Sequence, residues 1–261
     1  MIGLGTFNLR DQSGADAVTA AIELGYTHID TASGYNNEEI VGLGIRQSGR
    51  ARQDLFVTTK VGRDDLAAAA VRTSAEASLA RLQLDYVDLL LIHWPNLEVP
   101  LDETLDVFAQ LVDGGKVRTI GISNFIRPRV DKAVELSRLP IAVNQVEYHP
   151  HLDQEALRQH CQNHGILLTA YSPLAQGAIV QDETLIAIGA ECGKSPAQIA
   201  LRWLLDKQIA AIPKASSVQH MASNIDLFDW SLSTEQTARI NAIETVNRVI
   251  DWWPGDFDSD E

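Results

Sequence analysis

The sequence predicts an α/β fold, a (β/α)8 TIM barrel folded as a single domain over residues 1–261. Three observations predict it. Eight short runs rich in β-branched residues recur along the chain, and longer segments with helical spacing separate most of them. Several of these runs are continuously hydrophobic rather than alternating, which fits strands covered on both faces by helices. The length of 261 residues with 45% hydrophobic content can bury one large core, close to the range of about 200 to 250 residues in which α/β barrels fold as one unit. A doubly wound sheet is the competing architecture. It usually carries a Gly-x-Gly-x-x-Gly turn after its first strand, and no such turn occurs here.

In chain order, "IGLGTF" supplies the first strand and "GADAVTAAIELG" the first helical pattern, before the strand "GYTHIDTA". "DLFVTTKV" is the third strand, followed by helical spacing across "DDLAAAAVRTSAEASLARLQL" and by the strand "DYVDLLLIHWP". "ETLDVFAQLVDGG" is the next helix, then come the strands "TIGISNF", "AVNQVEYHP" and "GILLTAYSPL". "SPAQIALRWLLDK" opens with Ser195 as an N-cap and Pro196 at the first helical position, and "IAAIPKAS" is the last strand. No low-complexity linker divides the chain. The acidic tail "WWPGDFDSDE" is expected to be solvated, with Trp252 and Trp253 as apolar groups seeking a surface.

Charge and composition exclude several functions. A net charge of −14 repels polyanions, so nucleic acid and anionic membrane surfaces are poor partners. Any phosphate-bearing ligand needs a local cationic pocket. The two cysteines, Cys161 and Cys192, lack metal-ligand spacing, and "MIGLGTFNLR" lacks the features of a secretion signal, so a cytoplasmic location is expected. No apolar run approaches the roughly 20 residues needed to cross a bilayer, so no membrane role is expected.

The barrel reading directs attention to the C-terminal ends of the strands, where this fold places its active sites. Those ends carry Asp30, Lys60, His93, Ser123 with Asn124, Gln145 with Glu147, Tyr171 and Lys214. Four groups make a proton-delivery device. A tyrosine with an ordinary pKa of about 10 is a weak acid at neutral pH unless a neighbouring cation helps it. Lys60 can supply that charge for Tyr35, and Asp30 can keep a buried Lys60 protonated. His93 can hydrogen-bond and orient a substrate oxygen. The set suits reduction of a carbonyl, where the oxygen must be protonated as hydride reaches carbon. Side chains cannot deliver hydride, so a nicotinamide cofactor is implied.

At these residues the chain resembles the aldo-keto reductases, a family of NAD(P)H-dependent TIM barrels. "GYTHIDTASGYNNEEIVG" resembles the first family signature, with Asp30 and Tyr35 on its catalytic aspartate and tyrosine, and Thr27 where arginine is usual. "VTTKV" and "LLLIHWP" put Lys60 and His93 on the catalytic lysine and histidine. "RTIGISNF" matches the second signature. The resemblance implies that Ser123, Asn124 and Gln145 hold the nicotinamide carboxamide and that Tyr171 stacks on its ring. It also adds Ser172, Leu174, Lys214, Ala215, Ser216, His220 and Asn224 to the cofactor contacts. The likeness runs from about Gly3 to Asn224 and is strongest to the short bacterial members that resemble 2,5-diketo-gluconate reductases.

The departures qualify the cofactor. In "IPKASSVQHMASN", Ala215 replaces an expected serine or threonine, His220 an arginine, and Ser223 a frequent glutamate. Histidine offers a phosphate less than the planar, permanently charged arginine does, so NADPH should be accepted with weakened preference and NADH used appreciably. The chain begins directly on "IGLGTF", with little room for the hairpin that closes the barrel bottom in relatives, and only a short tail follows the last helical segment. The substrate pocket is therefore expected to be open, with Phe7 and Trp94 as wall candidates.

Other readings use the same residues. Lys60 at a strand end admits a Schiff-base aldolase, although Asp30 and Tyr35 would then be idle. His28 and Asp30 share a strand face and admit a metal reading with His93 and His149 or His151. A nucleotide-binding regulatory subunit is the non-enzymatic alternative. His160 and His164 lie four apart, but on a segment expected in the outer ring, where they read as a solvated helix end and no metal is assigned. A small-molecule carbonyl substrate and a monomer or weak homo-oligomer complete the expectation.

Overall fold

A computed structural model describes residues 1–251. Its eight strands are β1 (Leu4–Gly5), β2 (His28–Asp30), β3 (Phe56–Val61), β4 (Val87–Ile92), β5 (Val117–Ser123), β6 (Ile141–Glu147), β7 (Leu167–Tyr171) and β8 (Ala210–Ala211). They form one sheet in sequence order, and every neighbouring pair is parallel. Ten α-helices lie among the described residues: α1 (Asp11–Glu23), α2 (Glu38–Gln47), α3 (Ala68–Leu82), α4 (Leu101–Asp113), α5 (Arg127–Leu136), α6 (Glu155–Asn163), α7 (Glu183–Cys192), α8 (Pro196–Asp206), α9 (Val218–Ile225) and α10 (Thr234–Asn241). This is a single-domain α/β fold whose curled parallel sheet is consistent with a (β/α)8 arrangement.

The continuous hydrophobic runs are buried strands. Every residue of β4 is buried, because the sheet interior covers one face and helices the other. The helices bury one apolar stripe each; in α1 it comprises Ala17, Val18, Ala21 and Ile22. Ser195 caps α8 in a reciprocal capping box with Gln198, as the Ser-Pro opening predicts. Isolated parallel bridges join the first and last strands, pairing Ile2 with Ala211 of β8 and Gly5 of β1 with Lys214. A Cβ at Gly5 would lie 2.5 Å from the Ile212 carbonyl oxygen, so glycine permits this close approach.

Three boundaries differ from the sequence reading. The helix expected from Asp64 begins at Ala68, because Arg63–Asp65 form a separate 3-10 turn. β1 and β8 hold only two residues each. Lys214 therefore stands three positions past β8 rather than at its end, and Phe7 two past β1. The expected solvated tail with Trp252 and Trp253 lies outside the described residues, but the segment before it is anchored. The Glu147 carboxylate accepts the backbone N–H groups of Val249 at 2.7 Å and Ile250 at 3.0 Å, and Asn247 donates its N–H to the His151 carbonyl at 2.8 Å.

Candidate active site

β2 ends at Asp30 and the chain turns at once into a 3-10 turn, Ser33–Tyr35. The turn is pinned to β3, since the Ser33 hydroxyl donates to the Lys60 carbonyl at 2.9 Å. Tyr35 is thereby carried over the strand end beside Lys60. The Lys60 ammonium makes a salt bridge with Asp30, donates to the Thr31 carbonyl at 2.8 Å and reaches the Tyr35 hydroxyl at 3.4 Å. Asp30 and Lys60 are each 1% exposed. The second Asp30 oxygen accepts the Gln145 side-chain N–H at 2.7 Å, so the carboxylate is held from both sides.

His93 follows β4 by one residue, and its ring meets that of Tyr35 edge-on with centroids 5.5 Å apart. Asn124 locks this loop by donating to the His93 carbonyl at 3.0 Å. Its backbone is left-handed, with φ of 63°, a conformation asparagine tolerates better than most residues. The Asn124 amide oxygen accepts the Tyr171 hydroxyl at 2.9 Å, and its amide nitrogen also reaches the Ser123 hydroxyl at 3.1 Å. Ser123 in turn donates to the Gln145 carbonyl at 2.7 Å. The residues expected to hold a carboxamide and the residues expected to move a proton thus form one continuous network.

Electrostatics modify one expectation. Burial raises the pKa of Tyr35 above its ordinary value of 10; the Lys60 charge opposes the rise without reversing it, and Asp30 adds to it. Lys60 is expected to lower the tyrosine outright. Instead it moderates a desolvation effect that wins, because the half-buried tyrosine is partly shielded from water while Asp30 partly cancels the lysine charge. For Lys60, burial acts downward, but Asp30 and then Tyr35 outweigh it and the ammonium is stabilised. Burial and then Lys60 press His93 down to about 3, so its imidazole is neutral near pH 7. Burial also raises Tyr171, with Glu147 adding and Arg248 opposing.

A family model described as the aldo/keto reductase family matches residues 1–245. The chain belongs to that family. Aldo/keto reductases are oxidoreductases, and carbonyl reduction is their general chemistry. This aldo/keto reductase is 43% identical to the glyoxal reductase of Bacillus subtilis over 248 residues, covering 95% of this chain and 90% of that protein. An aldo-keto reductase structure from Bombyx mori in complex with NADP shares 37% identity and a TM-score of 0.88, covering 96% of this chain and 91% of that one. A solved structure proposed to be a 2,5-diketo-D-gluconic acid reductase B shares 40% identity and a TM-score of 0.90, covering 92% and 86% of the two chains.

The remaining expected residues fall into two groups. Ser172 follows Tyr171 directly and Leu174 lies three residues past it; Ser172 has φ of 45°, so the chain turns sharply as it leaves β7. Lys214, Ser216 and His220 are exposed, while Ala215 and Asn224 are buried. Ser217 caps α9 by accepting the His220 N–H at 3.2 Å. Of the pocket-wall candidates, Phe7 is 54% exposed with its ring 5.2 Å from Tyr35, whereas Trp94 is buried. The residues of the metal alternative do not gather among the described residues, where Asp131, His160 and His164 alone bring three ligand atoms within 4.8 Å of one another. His28 donates to or accepts from Thr58 at 3.1 Å, and His149 pairs with Glu147 at 2.9 Å. In the sequence Glu147 is only a polar strand end; its role as the anchor of residues 249 and 250 joins positions more than 100 apart and has no local signal.

Proposed function

We propose that the protein is an NADPH-dependent carbonyl reductase that also uses NADH and converts small aldehydes, dicarbonyls or keto-sugars to alcohols, with Tyr35 as general acid. The observation that carries this reading is the position of the Lys60 ammonium, paired with Asp30 and 3.4 Å from the Tyr35 hydroxyl. The raised pKa keeps the Tyr35 proton in place at neutral pH, ready for an oxygen on which negative charge develops. The neighbouring ammonium stabilises the phenolate left behind. Neutral His93, beside the Tyr35 ring, offers an N–H to the same oxygen and fixes its direction.

The donor and acceptor set fits a nicotinamide cofactor. Among the described residues the Gln145 side-chain oxygen makes no hydrogen bond and can accept a carboxamide N–H, beside Ser123 and Asn124. The half-buried Tyr171 ring lies on the same rim, with Ser172 and Leu174 in the turn beyond it. Exposed Lys214, with Ser216 and His220 near the start of α9 and Asn224 within it, suits a phosphate; Ala215 brings only its backbone. When bound, the nicotinamide supplies the hydride that no side chain can. The NADP complex of the similar Bombyx mori protein supports NADPH, and the glyoxal reductase relative supports small carbonyl substrates.

We also read the sheet as a closed (β/α)8 barrel. The Ile2–Ala211 and Gly5–Lys214 bridges support this. No helix among the described residues is long and apolar enough to cross a membrane; we place the protein in the cytoplasm, as a monomer or weak homo-oligomer. The aldolase alternative is disfavoured by a specific observation: the Lys60 ammonium directs its donors at Asp30, Thr31 and Tyr35, and its raised pKa removes the lone pair a Schiff base requires. The test is oxidation of NADPH and NADH by the native chain with a panel of aldehydes, dicarbonyls and keto-sugars. Turnover with small carbonyls is expected. Tight cofactor binding with no turnover across the panel would replace this reading with the regulatory one.

A further inference from the structure

Away from the strand ends, α5 and α6 lie side by side in the outer ring. Asp131 projects from the middle of α5, His160 from the last turn of α6, and His164 is the C-cap of α6. The two histidines are four residues apart, the spacing that stacks side chains on one helix face. That spacing alone is consistent with a solvated helix end. The fold adds a third group from the neighbouring helix. The Nε2 atoms of His160 and His164 each lie 2.8 Å from the same Asp131 oxygen, and the two ring centroids are 5.0 Å apart. One atom from each of the three residues falls within 4.8 Å of the others. The His160 and His164 side chains are 25% and 31% exposed and that of Asp131 is 53% exposed, so the cluster is open to an ion arriving from solvent.

We propose that Asp131, His160 and His164 form a binding site for a divalent transition-metal ion of the zinc class. Two imidazoles and one carboxylate are borderline ligands that suit zinc, nickel or copper and do not suit magnesium or calcium, which take oxygen donors. An ion between the three atoms replaces the two hydrogen bonds that now converge on Asp131, and each imidazole turns a lone pair toward it with its proton on Nδ1. Cys161, between the histidines in sequence, is not a ligand: it is buried and its sulfur accepts from the Asn144 side chain at 3.8 Å. The fourth position is left to solvent, as in an exchangeable three-ligand site. The ion would cross-link α5 to α6 on the outside of the fold, remote from Tyr35.

The test uses untagged, chelator-treated full-length protein titrated with zinc chloride in a non-coordinating buffer near neutral pH, with magnesium chloride as the control. Native protein is expected to bind one saturable equivalent of zinc and none of magnesium, and zinc is expected to raise its melting temperature. The His160→Gln/His164→Gln double variant should lose that equivalent and the shift in melting temperature while keeping native circular dichroism and carbonyl reductase turnover. Asp131→Asn, which keeps the shape of the side chain, should weaken zinc at least about tenfold. Cobalt should give visible absorption of a low-symmetry site in native protein only. An equivalent of zinc retained by the double variant, affinity unchanged in Asp131→Asn, or no saturable zinc binding by the native chain would each overturn the proposal.

Discussion

Two lysines near the same ends of the sheet behave oppositely. Lys60, near the end of β3, is 1% exposed and surrounded by acceptors from Asp30, Thr31 and Tyr35. Lys214, three residues past β8, is exposed, and its side chain makes no hydrogen bond or ion pair among the described residues. A cation in the first setting changes the chemistry of its neighbours, because the low dielectric strengthens every interaction it makes. A cation in the second keeps its hydration until an anion arrives, so it contributes to ligand choice. The proposed division of labour is chemistry in the buried network and cofactor selection in the exposed segment.

The largest expected effect breaks the buried side. Tyr35→Phe removes the proton donor and leaves the Lys60–Asp30 pair in place, so turnover should fall by about 10² to 10⁴. Steady-state kinetics, together with cofactor fluorescence titration, check it. Lys60→Met should follow. It leaves Asp30 buried without its cation, and a broken buried pair costs about 3 to 5 kcal/mol. Urea unfolding of the variant against the native chain reads that loss.

Acidification probes the same buried region. His28 is 3% exposed, and burial first, against a partly opposing Asp30, lowers its pKa to about 4. The unfolded chain therefore binds more protons than the folded one between about 6.5 and 4, and stability rises with pH across that window. Lowering the pH from about 7 to about 5 should remove stability at up to about 1.4 kcal/mol per pH unit once below 6.5. Urea midpoints at the two pH values, compared with those of His28→Gln, should show a shallower dependence in the variant. The smallest effect lies on the exposed side. His220→Arg supplies a permanent bidentate charge and should raise selectivity for NADPH over NADH about tenfold, read from the ratio of kcat/KM values.

Much of this contrast is legible in the sequence, for identifiable reasons. A carboxylate closing the hydrophobic run of "THID" and a lysine closing "VTTK" violate strand patterning, and such violations concentrate where function overrides packing. The βα alternation is equally readable, since period and length separate strands from helices. What the sequence hides is non-local or collective. Glu147 holds Val249 and Ile250 across more than 100 residues, so no neighbouring residue announces it. Asp131 meets His160 and His164 only because α5 and α6 pack together. The net rise of the Tyr35 pKa depends on how burial balances Lys60, and composition carries no measure of that balance. The two-residue lengths of β1 and β8 depend on where parallel pairing stops, which places Lys214 beyond its strand.

The most direct test of the division of labour measures NADPH Kd and kcat side by side in Tyr35→Phe and Lys214→Met. The account predicts that Tyr35→Phe loses kcat at nearly native NADPH affinity, whereas Lys214→Met loses NADPH affinity at nearly native kcat. Parallel loss of both quantities in both variants would contradict it.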